Sequence, residues 1–254
     1  MSVIFLSGFS VQACQAGLWI AGSLVAYVLI AHVAWLVQRR LGSSDRAGWL
    51  KPVGRAGSWA FRIGVPYLAL GGWPMRRGAI PASAMGWVGP GWSSWTWFEM
   101  AGRGALVGLV VFVGLVLARF YVERASRSRR KPMLIPEPSG LPWWEHLAEI
   151  AAIDVHWAFY WAGMAVVLGD GYIGLWAGLG LLYLESALDP FWRQDLGSPV
   201  RSSRRWQRAA LALGLAMVFL QIGNLWICIA IHWLLEAVLL PLSFGYRSAA
   251  QMLD

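Results

Sequence analysis

Residues 221–241, QIGNLWICIAIHWLLEAVLLP, form an apolar run interrupted by very few polar side chains. A helix needs roughly 20 residues to cross the hydrocarbon core of a bilayer, so a run of this length predicts a membrane helix. His232 and Glu236 lie four positions apart in it, on one face of such a helix. Because ionisable groups at membrane depth are costly, the two residues are either an active-site pair or packed polar side chains.

The composition assigns the whole chain to the membrane class. Of its 254 residues, 58% are hydrophobic and 13% are charged, whereas soluble domains carry roughly 25% charged residues. Since a helix satisfies its own backbone hydrogen bonds in lipid, we predict an all-α fold, a polytopic transmembrane helical bundle. Seven spans are predicted, at 12–36, 59–73, 104–122, 148–168, 172–189, 208–222 and 224–243.

The second predicted span is the weakest, because it is short and contains Arg62 and Pro66. We predict either a full helix extended by flanking residues or a helix broken within the membrane. Without this span the number of spans would be even, and the basic loops described next would no longer fall mainly on one side of the membrane. The distribution of basic residues therefore favours a span here.

The basic residues fall mainly on one side of the predicted spans. Of the 21 lysines and arginines, only Arg76, Arg77 and Arg103 lie on the other side. Because cytoplasmic loops are rich in these residues, we predict an outside N-terminus and a cytoplasmic C-terminus. The chain is thus expected to be a multi-pass protein of the cytoplasmic (inner) membrane. The formal charge of +8 then reflects topology and contacts with lipids, and nucleic acid is not an expected partner.

We expect a single membrane domain over residues 1–254. Its N-terminal spans (1–140) include a tryptophan-rich outer loop at 74–102, a helical core follows at 141–243, and 244–254 form a cytoplasmic tail. The loop contains four tryptophans that suit an aromatic belt at headgroup level: Trp87, Trp92, Trp95 and Trp97. The alternative for this loop is a docking surface for a partner or a large planar cofactor.

Few ionisable residues lie at predicted membrane depth, and these are the candidates for chemistry: His32, Asp154, His156, Glu185, His232 and Glu236. A hydrolytic metal site needs about three converging ligands and an open position for water. Asp154 and His156 are about 200° apart around a helix, so at most one of them can face a shared point. Glu145, His146 and Glu149 precede this depth, and we predict a wet surface helix for them.

One segment resembles a known family. Residues 211–237, LALGLAMVFLQIGNLWICIAIHWLLEA, are similar to the last motif of the CAAX protease and bacteriocin-processing (CPBP, Abi) family of intramembrane endopeptidases. In that motif a short turn, here residues 223–226, precedes a helix with a histidine that is followed four positions later by Asn or Asp. His232 stands at the family histidine, and Glu236 replaces the usual Asn or Asp. The resemblance covers roughly residues 145–243.

The other motifs of the family depart from its pattern. The family has paired glutamates followed by arginine, whereas residues 153–161, IDVHWAFYW, offer Asp154, then Val155, and Phe159 near the arginine position. Its Phe-x-x-x-His motif corresponds to YLESALDP (183–190), with Tyr183 for the phenylalanine and Ala187 for the histidine. The resemblance therefore implies a catalytically degenerate member with a CPBP-like fold.

Three functions remain open. The first is a non-catalytic scaffold, assembly factor or accessory subunit of a larger membrane complex, with other integral membrane proteins and lipids as partners and no cofactor required. The second is a metallo-endopeptidase that uses Asp154, His156, His232 and Glu236, with zinc held by His156, His232 and Glu236. The third is a subunit that binds a haem- or chlorophyll-type tetrapyrrole through His32, His156 or His232.

Overall fold

The structure is a computed structural model, and it describes residues 11–41, 50–71, 78–87, 93–128 and 142–251. These residues form eight α-helices and no strand, so the all-α prediction is confirmed for them. The helices are α1 (Val11–Leu41), α2 (Leu50–Gly71), α3 (Ser94–Ser128), α4 (Trp143–Leu168), α5 (Gly171–Leu188), α6 (Pro190–Leu196), α7 (Pro199–Ile222) and α8 (Leu225–Gln251).

Each predicted span coincides with one of these helices. Three described segments are long and apolar enough to cross a membrane: Val11–Arg40, Trp95–Ala118 and Trp143–Leu168. A shorter apolar segment, Leu225–Val238, lies in α8. The weak second span is one continuous helix, α2, with Pro66 buried in its interior. The number of seven spans and their orientation remain predictions.

Two predicted loops are partly helical. Residues 190–208 were expected as a loop, but they contain α6 and the first residues of α7. Helix α7 begins with proline at its first turn, a position where the missing N–H is no loss. The predicted loop 74–102 likewise ends early, because Ser93 accepts a hydrogen bond from the backbone N–H of Thr96 (3.2 Å) and caps α3. The start of α7 is missed because its first residues are mostly polar, and that of α3 because its tryptophans follow a Gly- and Pro-rich loop and were assigned to an interfacial segment.

Contacts group the chain into two compact units. The first comprises residues 1–90 and 151–194, and the second comprises 91–150 and 195–254. Helix α4 contributes residues to both.

In the first unit, α1 packs against α2 and α5, and two glycines allow α5 to approach α4. A Cβ atom at Gly178 would lie 2.6 Å from the carbonyl oxygen of Tyr160, and one at Gly174 would collide with the backbone of Ala165. This spacing of small residues is typical of close helix pairs in membranes. Helices α4 and α5 therefore form a tight hairpin around the turn at Gly169 and Asp170.

Part of the tryptophan-rich loop also packs into the first unit. Ile80 and Met85 are fully buried, and a Cβ atom at Gly163 would lie 3.0 Å from Ile80 Cδ1. Part of the segment 78–87 thus belongs to the core of the first unit, whereas residues 81–83 are exposed. Trp95 is exposed on α3, whereas Trp92 lies outside the described residues.

In the second unit, α3 packs against α7 and α8, with Ile231 of α8 seated on Gly104 and Gly108 of α3. The turn predicted at 223–226 is confirmed at residues 223 and 224, whereas α8 already begins at Leu225. Gly223 ends α7 with a φ of 57°, in the left-handed region that favours glycine. The buried Asn224 caps α8, because its Oδ1 accepts from the backbone N–H of Trp226 at 3.0 Å.

Candidate functional site

The first unit contains a buried cluster centred on Glu185 of α5. The His156 Nε2 atom of α4 lies 3.1 Å from both carboxylate oxygens, and the Tyr160 hydroxyl donates to Oε2 at 2.7 Å. Tyr160 also reaches Ser23 of α1, at 3.5 Å. His156 is 3% exposed and Glu185 is 7% exposed, so the side chains of His156 and Tyr160 take the place of water as partners of the carboxylate. We call these four side chains the Glu185 cluster.

Helix geometry brings the cluster together. His156 and Tyr160 are one helical turn apart and share a face of α4. In the hairpin, His156 and Glu185 lie at nearly equal distances from the turn at Gly169 and Asp170, so they meet at the same depth. Aromatic rings enclose the imidazole, with the Phe61 ring centroid at 5.6 Å and that of Tyr160 at 5.0 Å.

Further polar groups extend from this cluster towards the start of α6. The Tyr27 hydroxyl of α1 donates to Asp189 Oδ2 at 3.1 Å, and the backbone N–H of Phe191 donates to Asp189 Oδ1 at 2.9 Å. The guanidinium of Arg62 on α2 interacts electrostatically with both Glu185 and Tyr27. Polar contacts therefore join α1, α4 and α5 within this unit, and Arg62 of α2 adds an electrostatic attraction.

The second unit contains a separate cluster centred on Glu236 of α8. His146 Nε2 lies 3.0 Å from Glu236 Oε2, whereas His232 Nε2 lies 3.6 Å from Oε1. Nearby, Arg208 of α7 donates to Glu149 at 2.8 Å. We call His146, His232 and Glu236 the Glu236 cluster. It joins the first turn of α4 to α8.

This arrangement corrects the prediction of a wet surface helix at 145–149. His146 and Glu149 are partly buried and engage α8 and α7. The prediction was wrong because it considered α4 alone, where these residues follow a polar segment. Their partners lie far along the chain.

The structure brings only some of the sequence-predicted residues together. His232 and Glu236 are close, although the nearer partner of Glu236 is His146. Asp154 and His156 are both buried in the first unit, on different faces of α4, at 2% and 3% exposure. His32 lies on α1 and its Nδ1–H donates to the Val28 carbonyl oxygen at 2.8 Å.

Glu185 stands two residues from Ala187, the position of the family histidine, so the spacing of that motif does not point to it. The structure turns it towards His156. One signal could have found the pair: a histidine and a carboxylate placed symmetrically about a predicted helix–helix turn, each needing a partner in an apolar environment.

A hydrolytic zinc site requires a convergent set of ligands, and the described residues do not assemble one. No group of three or more His, Cys, Asp or Glu side chains in these ranges is placed to hold a metal ion. In the first unit, the Nε2 atom of His156 is already bonded to Glu185. The four candidates for a metallo-endopeptidase, Asp154, His156, His232 and Glu236, are thus not shown as a set of metal ligands among the described residues.

Comparisons with protein-family models, with curated proteins and with solved structures find no match to this chain. The resemblance to the CAAX protease family therefore remains an expectation drawn from the motif at 211–237.

The clusters can do two things chemically. Each cluster can hold its helices in register. Movement of one helix past the other would leave buried polar groups desolvated and without a partner, which costs free energy. In the Glu185 cluster the imidazole and the carboxylate can also share a proton across the 3.1 Å hydrogen bond. Hydrolysis would need a substrate carbonyl and an activated water beside the same groups. The carboxylate oxygens of Glu185 are instead occupied by His156 and Tyr160.

Proposed function

We propose that this protein is a non-catalytic integral membrane subunit: a scaffold, assembly factor or accessory component of a larger membrane complex. In this proposal it is a degenerate relative of the CAAX protease family. It crosses the cytoplasmic membrane seven times, with its N-terminus outside and its C-terminus inside.

The Glu185 cluster is the observation that carries the proposal. Its carboxylate accepts from the Tyr160 hydroxyl at 2.7 Å and is bound by the Nε2 atom of His156 at 3.1 Å inside the first unit. A general base for water must instead present a free lone pair beside an open position. The polar side chains of this cluster therefore hold helices together. This is the role expected of them if the fold persists after catalytic activity is lost.

The apolar surfaces of α1 and α3 give further support. In α1 and α3 only 11% of the most apolar window is buried within the protein, whereas 72% of the α4 window is buried. Exposed side chains along α1 include Leu18, Val25, Leu29 and Val33. Such apolar faces are stable against lipid or against the helices of other membrane proteins. A subunit of a membrane complex is surrounded by both.

Purification from native membranes tests the proposal. The tagged protein is extracted in mild detergent, and proteins that co-purify are quantified against an untagged strain. We expect an integral membrane partner in fixed stoichiometry, whose abundance falls when the gene is deleted. A protein that migrates alone contradicts the proposal. So does stoichiometric zinc combined with a peptide-bond cleavage that His232→Ala abolishes.

A further inference from the structure

A groove of about 530 Å³ lies on the first unit between α1 and α6. It is lined by His32, Trp35, Arg39, Pro190, Arg193 and Gln194. The lining follows helix periodicity on both sides. His32, Trp35 and Arg39 share one face of α1, and Pro190, Arg193 and Gln194 share one face of α6. The groove is therefore formed by two facing helix surfaces.

Two guanidinium groups stand in this groove without acidic partners. Arg39 stacks over the Trp35 ring, with its Cζ 4.6 Å from the ring centroid, and Arg193 Nη2 donates to the Leu188 carbonyl oxygen at 3.5 Å. Among the described residues, neither guanidinium forms an ion pair with a carboxylate. Asp195, the nearest acid in sequence to Arg193, accepts instead from Arg205 at 3.0 Å, and Asp189 accepts from Tyr27 and from the backbone N–H of Phe191. Each arginine keeps N–H donors suited to a phosphate.

The position of the groove argues for a lipid over a soluble anion. Arg39 lies in the last turn of α1, a helix of membrane-spanning length, so this end of the helix corresponds to the headgroup layer. Trp35 stands one turn deeper, and an indole is typical of that interface. Trp35 and Pro190 offer apolar contact beside the two charges. A free phosphate ion would contact only the arginines and would leave the apolar surfaces of Trp35 and Pro190 without a partner.

We propose that this groove binds the headgroup of an anionic glycerophospholipid, with the phosphate between Arg39 and Arg193 and the first acyl methylenes against Trp35 and Pro190. The Nδ1–H of His32 is donated to the Val28 carbonyl oxygen, so in this tautomer Nε2 is the acceptor of the ring. That acceptor suits a headgroup hydroxyl, as in phosphatidylglycerol. The site requires α1 to lie in a membrane, but it does not depend on the accessory-subunit proposal.

The test compares lipid binding by the full chain and by two double variants. In R39Q/R193Q the two groove charges are removed. In R40Q/R124Q two exposed arginines outside the groove are removed, so that the net charge of the variants is matched. The proteins are placed in nanodiscs containing phosphatidylglycerol or phosphatidylcholine, and retained lipids are measured by native mass spectrometry.

We expect the wild type and R40Q/R124Q to retain phosphatidylglycerol in preference to phosphatidylcholine. For R39Q/R193Q the affinity for phosphatidylglycerol should fall roughly 10- to 30-fold, the loss expected when two basic residues near anionic lipid are neutralised. Equal melting temperatures in phosphatidylcholine show that the variant folds. If it unfolds, the single variants R39Q and R193Q give the same comparison.

Three results would overturn the proposal. The first is equal retention of phosphatidylglycerol by the two double variants. The second is displacement of the lipid by excess inorganic phosphate, which would assign the groove to a soluble anion. The third is a tetrapyrrole absorption band in the purified protein that His32→Ala removes, which would assign the groove to a pigment.

Discussion

At the scale of single residues, the two clusters explain how a chain so rich in apolar side chains tolerates buried charge. Glu185 accepts from His156 and Tyr160, and Glu236 contacts His146 and His232. In a medium of low dielectric these contacts are strong, and losing one partner leaves the other desolvated and unpaired. On the protein surface, where water solvates charged groups, the same residues could be replaced with little loss of stability.

Glu185→Ala should therefore destabilise the protein by about 3 kcal/mol, since it leaves His156 and Tyr160 buried without their acceptor. The control is Glu99→Ala, which removes an exposed partner of Arg103 (2.6 Å) and should cost less than about 1 kcal/mol. The free energy of unfolding is measured by titration of mixed micelles with SDS. Similar losses for the two variants would argue against a stabilising role for the Glu185 cluster.

The Glu236 cluster makes a second prediction, because its two histidines lie at different distances. Double-mutant cycles to alanine should give a coupling of about 1–2 kcal/mol for His146 with Glu236, and a coupling of below about 0.5 kcal/mol for His232 with Glu236. The measurement is again the free energy of unfolding. The reverse order would mean that the pair four residues apart in α8 is the stabilising one.

At the scale of helices, glycines decide which elements approach closely. Helix α5 can pack on α4 because Gly174 and Gly178 face the α4 backbone, and α3 receives Ile231 of α8 at Gly104 and Gly108. Backbone atoms cannot move aside as a flexible side chain can. An added methyl group at such a position separates the helices, and in the hairpin it would also pull Glu185 away from His156.

Gly178→Ala should destabilise the protein by about 1–3 kcal/mol, because the new Cβ atom would lie 2.6 Å from the Tyr160 carbonyl oxygen. Gly180→Ala is the matched control in the same helix. No atom lies within 4 Å of its added Cβ, so the higher helix propensity of alanine should leave stability unchanged or raise it by up to about 1 kcal/mol. Melting temperatures in detergent compare the two. Equal melting temperatures would contradict the close α4–α5 contact.

The sequence was informative about helices and less so about their ends and partners. Apolar runs predict the helices on which the seven spans lie. They do so because apolar side chains are favoured wherever a helix is buried in lipid or in protein. The polar start of α7 and the short α6 carry no such signal, and the aromatic start of α3 is compatible with either a loop or a helix. At the candidate site, spacing within one helix revealed His232 and Glu236. The contacts of His156 with Glu185 and of His146 with Glu236 join different helices, so only packing brings them together.

At the scale of the whole molecule, the asymmetric placement of basic residues predicts the orientation in the membrane. Labelling of single cysteines tests it after replacement of the native Cys14 and Cys228 by alanine. Ser93→Cys, exposed at the start of α3, should react with an impermeant maleimide in intact cells. Arg124→Cys, exposed near the other end of α3, should react only after permeabilisation. The opposite pattern would invert the topology.

The central claim is that His156 and His232 hold helices in place and do not perform chemistry. Complementation of a deletion strain with His156→Gln and His232→Gln tests it most directly, because glutamine keeps an N–H donor but cannot act as an acid or base. We predict that both variants restore the abundance of the co-purifying partner to at least about half of the wild-type level. Variants that accumulate normally in the membrane but restore none of the partner would contradict the account.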